Sequence, residues 1–188
     1  MFLFHSSQST FNRLTNGDRA FEDYGIWTYV LPDKASRLDG LRWLFARTAL
    51  IDIKWDGAFY VVAKDTHTGA VVGAAKAAWI DPPSAGGSKA DSLWANVSGG
   101  ILAAPLVMGL SAFLRLKFIG DTNAAWHKEE TAALAQGHWY IRNVVVDPPH
   151  QSKGIGSRLV KALIAECNTQ RAGMPIYLDV RPISACSV

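Results

Sequence analysis

Residues 139–173 read WYIRNVVVDPPHQSKGIGSRLVKALIAECNTQRAG, and their reading decides how the chain is built. Trp139 to Val146 carries apolar residues in both parities, which predicts a central strand covered on both faces. Asp147-Pro148-Pro149 ends that strand, because proline offers no ladder donor and fixes its own φ. Leu159, Val160, Leu163, Ile164 and Cys167 then recur at helical spacing, as a face packed on a sheet would, and Gly173 marks the stop. Between strand and helix lies Gln151-Ser152-Lys153-Gly154-Ile155-Gly156-Ser157. Unpaired amides at a helix start attract anions, and glycine lets a phosphate approach the main chain, so this loop predicts a pyrophosphate site. The local charge agrees: from Gln151 to Arg171, the cations Lys153, Arg158, Lys161 and Arg171 face only Glu166.

Other phosphate motifs do not fit. There is no G-x-x-x-x-G-K-[ST], and Leu159 stands where a dinucleotide-binding G-x-G-x-x-G would need its third glycine.

Upstream, Leu38, Leu41, Leu44, Phe45 and Thr48 fall at helical spacing, with Asp33 after Pro32 placed to cap a helix from Lys34 to about Ile53. After Gly57, Ala58–Lys64 is rich in β-branched and aromatic residues, and Asp65-Thr66-His67-Thr68-Gly69 reads as a hairpin turn. The returning strand, Ala70–Ile80, has small residues at Gly73, Ala74, Ala75, Ala77 and Ala78 that allow close packing on the sheet. Residues 84–90 read as a Gly/Ser linker, and residues 91–136 as a helical insertion in two pieces parted near Gly120-Asp121. Trp126, Ala133 and Leu134 are expected to share a face of the second piece, which Gly137 ends. Residues 1–20 give no strand signal, and Thr15–Asp18 reads as a turn or helix break. Ile176–Val180 is one more strand. The order of elements is that of an α/β or α+β domain.

At 188 residues, against roughly 150 per domain, a single domain spanning 1–188 is expected. With 49% apolar residues the chain can build a core, and its net charge of +3 is too small to argue for nucleic-acid binding. Cys167 and Cys186 form neither a disulfide framework nor a metal motif, and no metal is expected. Met1–Phe4 is too short for a signal peptide. Val97–Leu114 is uncharged and reaches the ~18 residues of a spanning helix, but its glycines, proline, serines and alanines argue against a membrane span. An intracellular, cytoplasmic protein is the expectation, with the nucleus left open.

The wider spacing V-x-P-x-x-Q-x-x-G-x-G, with Val146, Pro148, Gln151, Gly154 and Gly156, resembles the GNAT superfamily of acetyl-CoA-dependent N-acetyltransferases. The likeness is strongest over 138–180 and continues more loosely upstream through YGIWTYVLPD, the helix, the hairpin and the insertion. It implies a mixed, mostly antiparallel sheet flanked by helices, with the helical insertion before the central strand. It also implies transfer of an acetyl group from acetyl-CoA to a small-molecule or protein amine, by direct attack on the thioester. On that resemblance the main chain of Val144, Val145 and Val146 would align the pantetheine arm, with the Val144 amide polarising the thioester carbonyl. The backbone of Gln151, Ser152, Lys153, Gly154, Ile155, Gly156 and Ser157 would hold the pyrophosphate, with Lys153 and Arg158 adding charge.

Where some family members carry a catalytic carboxylate, this chain has Tyr140, which leaves Asp81, Glu129, Glu130 and His138 as candidate bases. Trp79, Trp94, Trp126 and Trp139 are expected in the core, with an acceptor pocket as the alternative. Arg142 is expected to pair with a carboxylate such as Asp179, with a contact to substrate as the alternative. The resemblance implies a helix and two strands past the fifth strand and a first strand before residue 20, so the chain is expected to be incomplete at its C-terminus and, as an alternative, at both ends, with an edge for a dimer partner to cover. A catalytically inactive CoA-binding or regulatory remnant is the second reading.

Overall fold

A computed structural model describes residues 2–5, 22–55, 57–82, 85, 93–134 and 136–179. The turn expected at Thr15–Asp18, most of the linker and the segment after Asp179 lie outside the described residues. The elements follow as β1 (Phe2–His5), α1 (Gly25–Val30), α2 (Lys34–Trp55), β2 (Phe59–Lys64), β3 (Val71–Ile80), α3 (Leu93–Gly99), α4 (Ala104–Met108), α5 (Leu110–Glu130), β4 (His138–Val146), α6 (Ile155–Gln170) and β5 (Ile176–Leu178).

The strands form one five-stranded sheet in the order β1-β2-β3-β4-β5. Every neighbouring pair is antiparallel except β4 and β5, which run parallel. β1 corrects the reading of the first twenty residues: Phe2 to His5 pair with Ala63 to Tyr60. Four residues carry too little pattern to reveal a strand that is specified by its partner.

The middle strand is β3, not β4, and all ten of its residues are buried. Its small side chains serve the close packing they suggested. A Cβ built on Gly73 would lie 3.1 Å from the Val145 carbonyl oxygen and 3.2 Å from Leu159 Cδ1. On this face Leu159, Leu163 and Cys167 of α6 meet Phe59, Val61, Ala75, Trp79, Trp139 and Ile141. Burial also pushes the Cys167 thiol up to about 12, with Glu166 adding to the shift, so it remains a protonated packing residue. On the opposite face, buried Lys76 of β3 pairs with buried Asp52 of α2.

α2 begins as expected. Asp33 accepts hydrogen bonds from the Ala35 amide at 3.1 Å and the Ser36 hydroxyl at 2.7 Å. The hairpin turn closes on Asp65, whose Oδ1 accepts from the His67 and Thr68 amides at 2.9 and 2.8 Å.

The insertion departs from expectation. α5 runs unbroken through Gly120, supported by the Lys117–Asp121 ion pair one turn apart, and ends at Glu130, so Ala133 and Leu134 do not share a helical face with Trp126. The breaks fall at Gly100 (φ +77°) and Gly109 (φ +83°) instead. A glycine in a helix interior weakens it by about 1 kcal/mol, whereas a left-handed glycine redirects the chain. These breaks divide 97–114 between short segments and the start of α5, and no helix among the described residues is long and apolar enough to cross a membrane.

Candidate functional site

The geometry of interest begins in the second half of β4, which stays paired with β3 to Val146. Among the described residues, β5 pairs with Trp139, Tyr140 and Ile141. His138, Trp139 and Ile141 are buried, but from Arg142 onward β4 is only partly covered, which corrects the expectation of a strand enclosed along its whole length. Next comes a bulge. Ala74 pairs with Val145 and Lys76 with Arg142, so Ala75 faces both Asn143 and Val144. Asn143 sits at φ +53°, a left-handed conformation that asparagine tolerates better than most residues. The bulge takes main chain out of the regular ladder immediately before the three valines.

The strand then turns through Pro148–His150 into α6. The Gln151 side chain returns to donate to the Val146 carbonyl at 3.0 Å, which gives the Val-x-Pro-x-x-Gln spacing a physical reason. That carbonyl keeps a second lone pair. Lys153 Nζ donates to the Pro149 carbonyl at 2.9 Å, so its side chain ties the loop together as well as carrying charge. Ser152 (φ +59°) and Gly154 (φ +72°) both adopt left-handed backbone, which is how a short loop turns successive amides toward one point.

Gly154 is the N-cap of α6, with no side-chain cap and no acidic residue in the first turn. The amides at the start of a helix have no intrahelical acceptors, and Gly154 brings no side chain to substitute for one. A Cβ on Gly154 would meet nothing within 4 Å, and one on Gly156 only Val146 Cγ2 at 3.9 Å, so the space before this helix start is open. Val144, Val145, Val146 and Gln151 through Ser157 therefore lie on one continuous strand-to-helix path.

A second group of residues stands beside the earlier part of β4. Its key member, His127 on α5, was not singled out by the sequence. Its ring stacks on Tyr140 at 4.3 Å and 11° and meets Tyr177 of β5 edge-on at 5.2 Å. His127 Nε2 lies 3.0 Å from Nε2 of His138. Burial, helped by His138 and Arg142, lowers the His127 pKa to about 4, with Asp179 opposing the shift. Burial and then Arg142 lower that of His138. The Arg142 guanidinium lies over the Tyr140 ring at 4.2 Å, so its aromatic neighbour, as well as any carboxylate, accounts for a cation in this strand.

The other candidates separate. Asp81 accepts from the Trp79 indole at 2.9 Å, and Glu129 and Glu130 are exposed at the end of α5. Trp79 and Trp139 are core residues, in edge-to-face contact at 5.5 Å. Trp94 and Trp126 are exposed, contrary to the expectation of core. No group of three or more potential metal ligands occurs among the described residues.

Comparisons with known proteins converge on one family. The family model described as acetyltransferase (GNAT) family matches residues 24–184. A putative acetyltransferase from Pyrococcus horikoshii shares the fold with a TM-score of 0.55 at 15% identity, covering 99% of this chain and 83% of that one. The structure described as histone acetyltransferase HPA2 and related acetyltransferase, from Corynebacterium glutamicum, gives a TM-score of 0.52 at 18% identity, covering 98% and 78%. No curated protein matches the sequence.

Proposed function

The chain belongs to the acetyltransferase (GNAT) family, and from that premise we propose that it transfers an acetyl group from acetyl-CoA to an amine by direct attack on the thioester. The observation that carries this reading is the uncapped, acid-free start of α6 at Gly154, reached by a short turn from the bulged end of β4. The amides of Gly154 through Ser157 offer the pyrophosphate donors in a pocket of favourable helix dipole. Among the described residues Val144 and Val146 lie beyond the part of β4 that pairs with β5, so their main chain suits an extended amide-bearing arm laid alongside as an added strand.

The chemistry asks little of the side chains. A neutral amine attacks the thioester carbonyl carbon, the carbonyl oxygen gains negative charge, and collapse of that tetrahedral species expels the thiolate. The Val144 amide is the donor assigned to the developing oxyanion; losing such a donor costs about 2.7–4 kcal/mol in other acyl-transfer sites. The amine gives up one proton to a base and the thiolate takes one up. No protein nucleophile is involved. A cosubstrate of this kind implies an intracellular setting, and the acceptor is an amine on a small molecule or a protein.

Thiol release from acetyl-CoA, followed across a panel of small amines and lysine peptides, tests the proposal. Amine-dependent release with equimolar acetylated product is expected. Folded protein that neither binds nor consumes acetyl-CoA would overturn it, and binding without amine-stimulated release would favour a CoA-binding remnant.

A further inference from the structure

We propose that the His127–His138 couple accepts the proton released when the amine attacks the thioester, with His127 delivered to the sheet by the inserted helix α5. This rests on the acetyl-transfer reading above and names the base which that reading leaves open.

The couple stands where the sheet divides. Tyr140 pairs with Tyr177 of β5 and His138 with Ile80 of β3, both before the bulge in β4. His127 packs flat on Tyr140 and against the edge of Tyr177, so two strands and a helix fix its ring. The helix end is held as well, because the Thr131 hydroxyl donates to the His127 carbonyl at 2.6 Å. At 3.0 Å, one of the two Nε2 atoms must donate and the other accept, so the rings cannot both present a proton there.

This contact makes a two-site acceptor. We assign His127 as the donor across this contact, so that its Nδ1 is the nitrogen that takes a proton. As it does so, the Nε2 proton of His127 passes to Nε2 of His138, so one proton enters and the charge moves to the second ring. From Tyr140 to Val144 is four residues, at most roughly 13 Å at the 3.3 Å rise of extended strand and less across the bulge. A water chain must therefore join the amine to the couple.

The surrounding charges suit a base that is ready before substrate arrives. His127 is faced by His138, Arg142 and Tyr140 from β4, by Tyr177 from β5 and by Asp179 just after it. Arg142 opposes protonation of His127 and Asp179 favours it, and with burial the balance leaves a neutral imidazole at neutral pH.

The test compares the unaltered chain with His127→Gln, using the best amine of the panel. The substitution should lower kcat by ~10²–10³-fold, within the range for general-base catalysis, and leave the acetyl-CoA Kd within about twofold. The variant's rate should rise with pH through the region where the unaltered chain is flat, and added imidazole should restore part of it. A purely structural histidine would give neither response. His127→Gln turnover within threefold of the unaltered chain, with the same pH profile, overturns the inference while leaving acetyl transfer intact. Absence of turnover by the unaltered chain overturns both. If His127→Gln does not fold, ¹⁵N ring shifts of His127 in the unaltered protein decide: a neutral ring at pH 7 supports the inference, and a protonated one overturns it.

Discussion

The path from Asn143 to Ser157 and the ground around His127 meet on the same strand, yet they are built from different materials. The first consists of main chain: a bulge, two left-handed turns and a helix start without a cap. Behind it stands a helix whose Leu159, Leu163 and Cys167 are fully buried. The second consists of side chains, brought together from α5, β4 and β5. Behind it stand inserted helices that leave Leu93, Leu106, Leu110 and Phe118 exposed. A main-chain site needs only that the backbone keep its course, and the buried face of α6 sees to that. A side-chain site needs particular residues at a particular helical register. Within one fold, then, the ground proposed for the donor is generic and that proposed for the acceptor belongs to this chain.

The strongest way to break that contrast is to remove its support. Leu163→Ala empties a fully buried position on α6 and should destabilise the protein by about 2–5 kcal/mol in urea unfolding. Leu106, 90% exposed on α4, should give a change within about 0.5 kcal/mol when replaced by Ala. Equal effects would mean that the insertion is packed as firmly as the α6 face.

Gly156→Glu acts on binding rather than packing. It places a negative charge among the amides of the first turn, where its Cβ meets only Val146 Cγ2 at 3.9 Å. Acetyl-CoA affinity should fall by ~100-fold or more, equivalent to about 2.7 kcal/mol, with little change in Tm. Retained affinity in calorimetry would move the pyrophosphate away from α6.

The smallest effect is a pH dependence. The folded-state pKa of His127, about 4, lies below its ordinary value of 6.5. The unfolded chain therefore binds a proton first, so the contribution is complete above about pH 6.5 and is lost as pH falls toward 4. Because the ring is only half-buried, the change in Tm should be modest, and His127→Gln should flatten it. An unchanged slope in the variant would assign the acid sensitivity to other groups.

These differences also explain what could be read beforehand. The buried face of α6, its preceding loop, the Asp33 cap and the Asp65 turn are local signals, each confined to a few consecutive residues. β1 was missed because four residues become a strand only through their pairing with β2. The breaks in the insertion were misplaced because Gly100, Gly109 and Gly120 are one residue type, and only φ separates a turn from a helix interior. The bulge had a faint signal in Asn143, an asparagine inside an apolar run. His127 had none. Its importance comes from meeting Tyr140, His138 and Tyr177, residues that sequence spacing alone does not bring to it.

The central claim is that acetyl-CoA is held by main chain at the end of β4 and the start of α6. Titrating ¹⁵N-labelled protein with acetyl-CoA and following each backbone amide tests it most directly. The largest shifts should fall on Val144, Val146 and Gly154 through Ser157, and they should be absent in Gly156→Glu. Saturable binding whose largest shifts lie elsewhere, with those amides unmoved, would contradict the account.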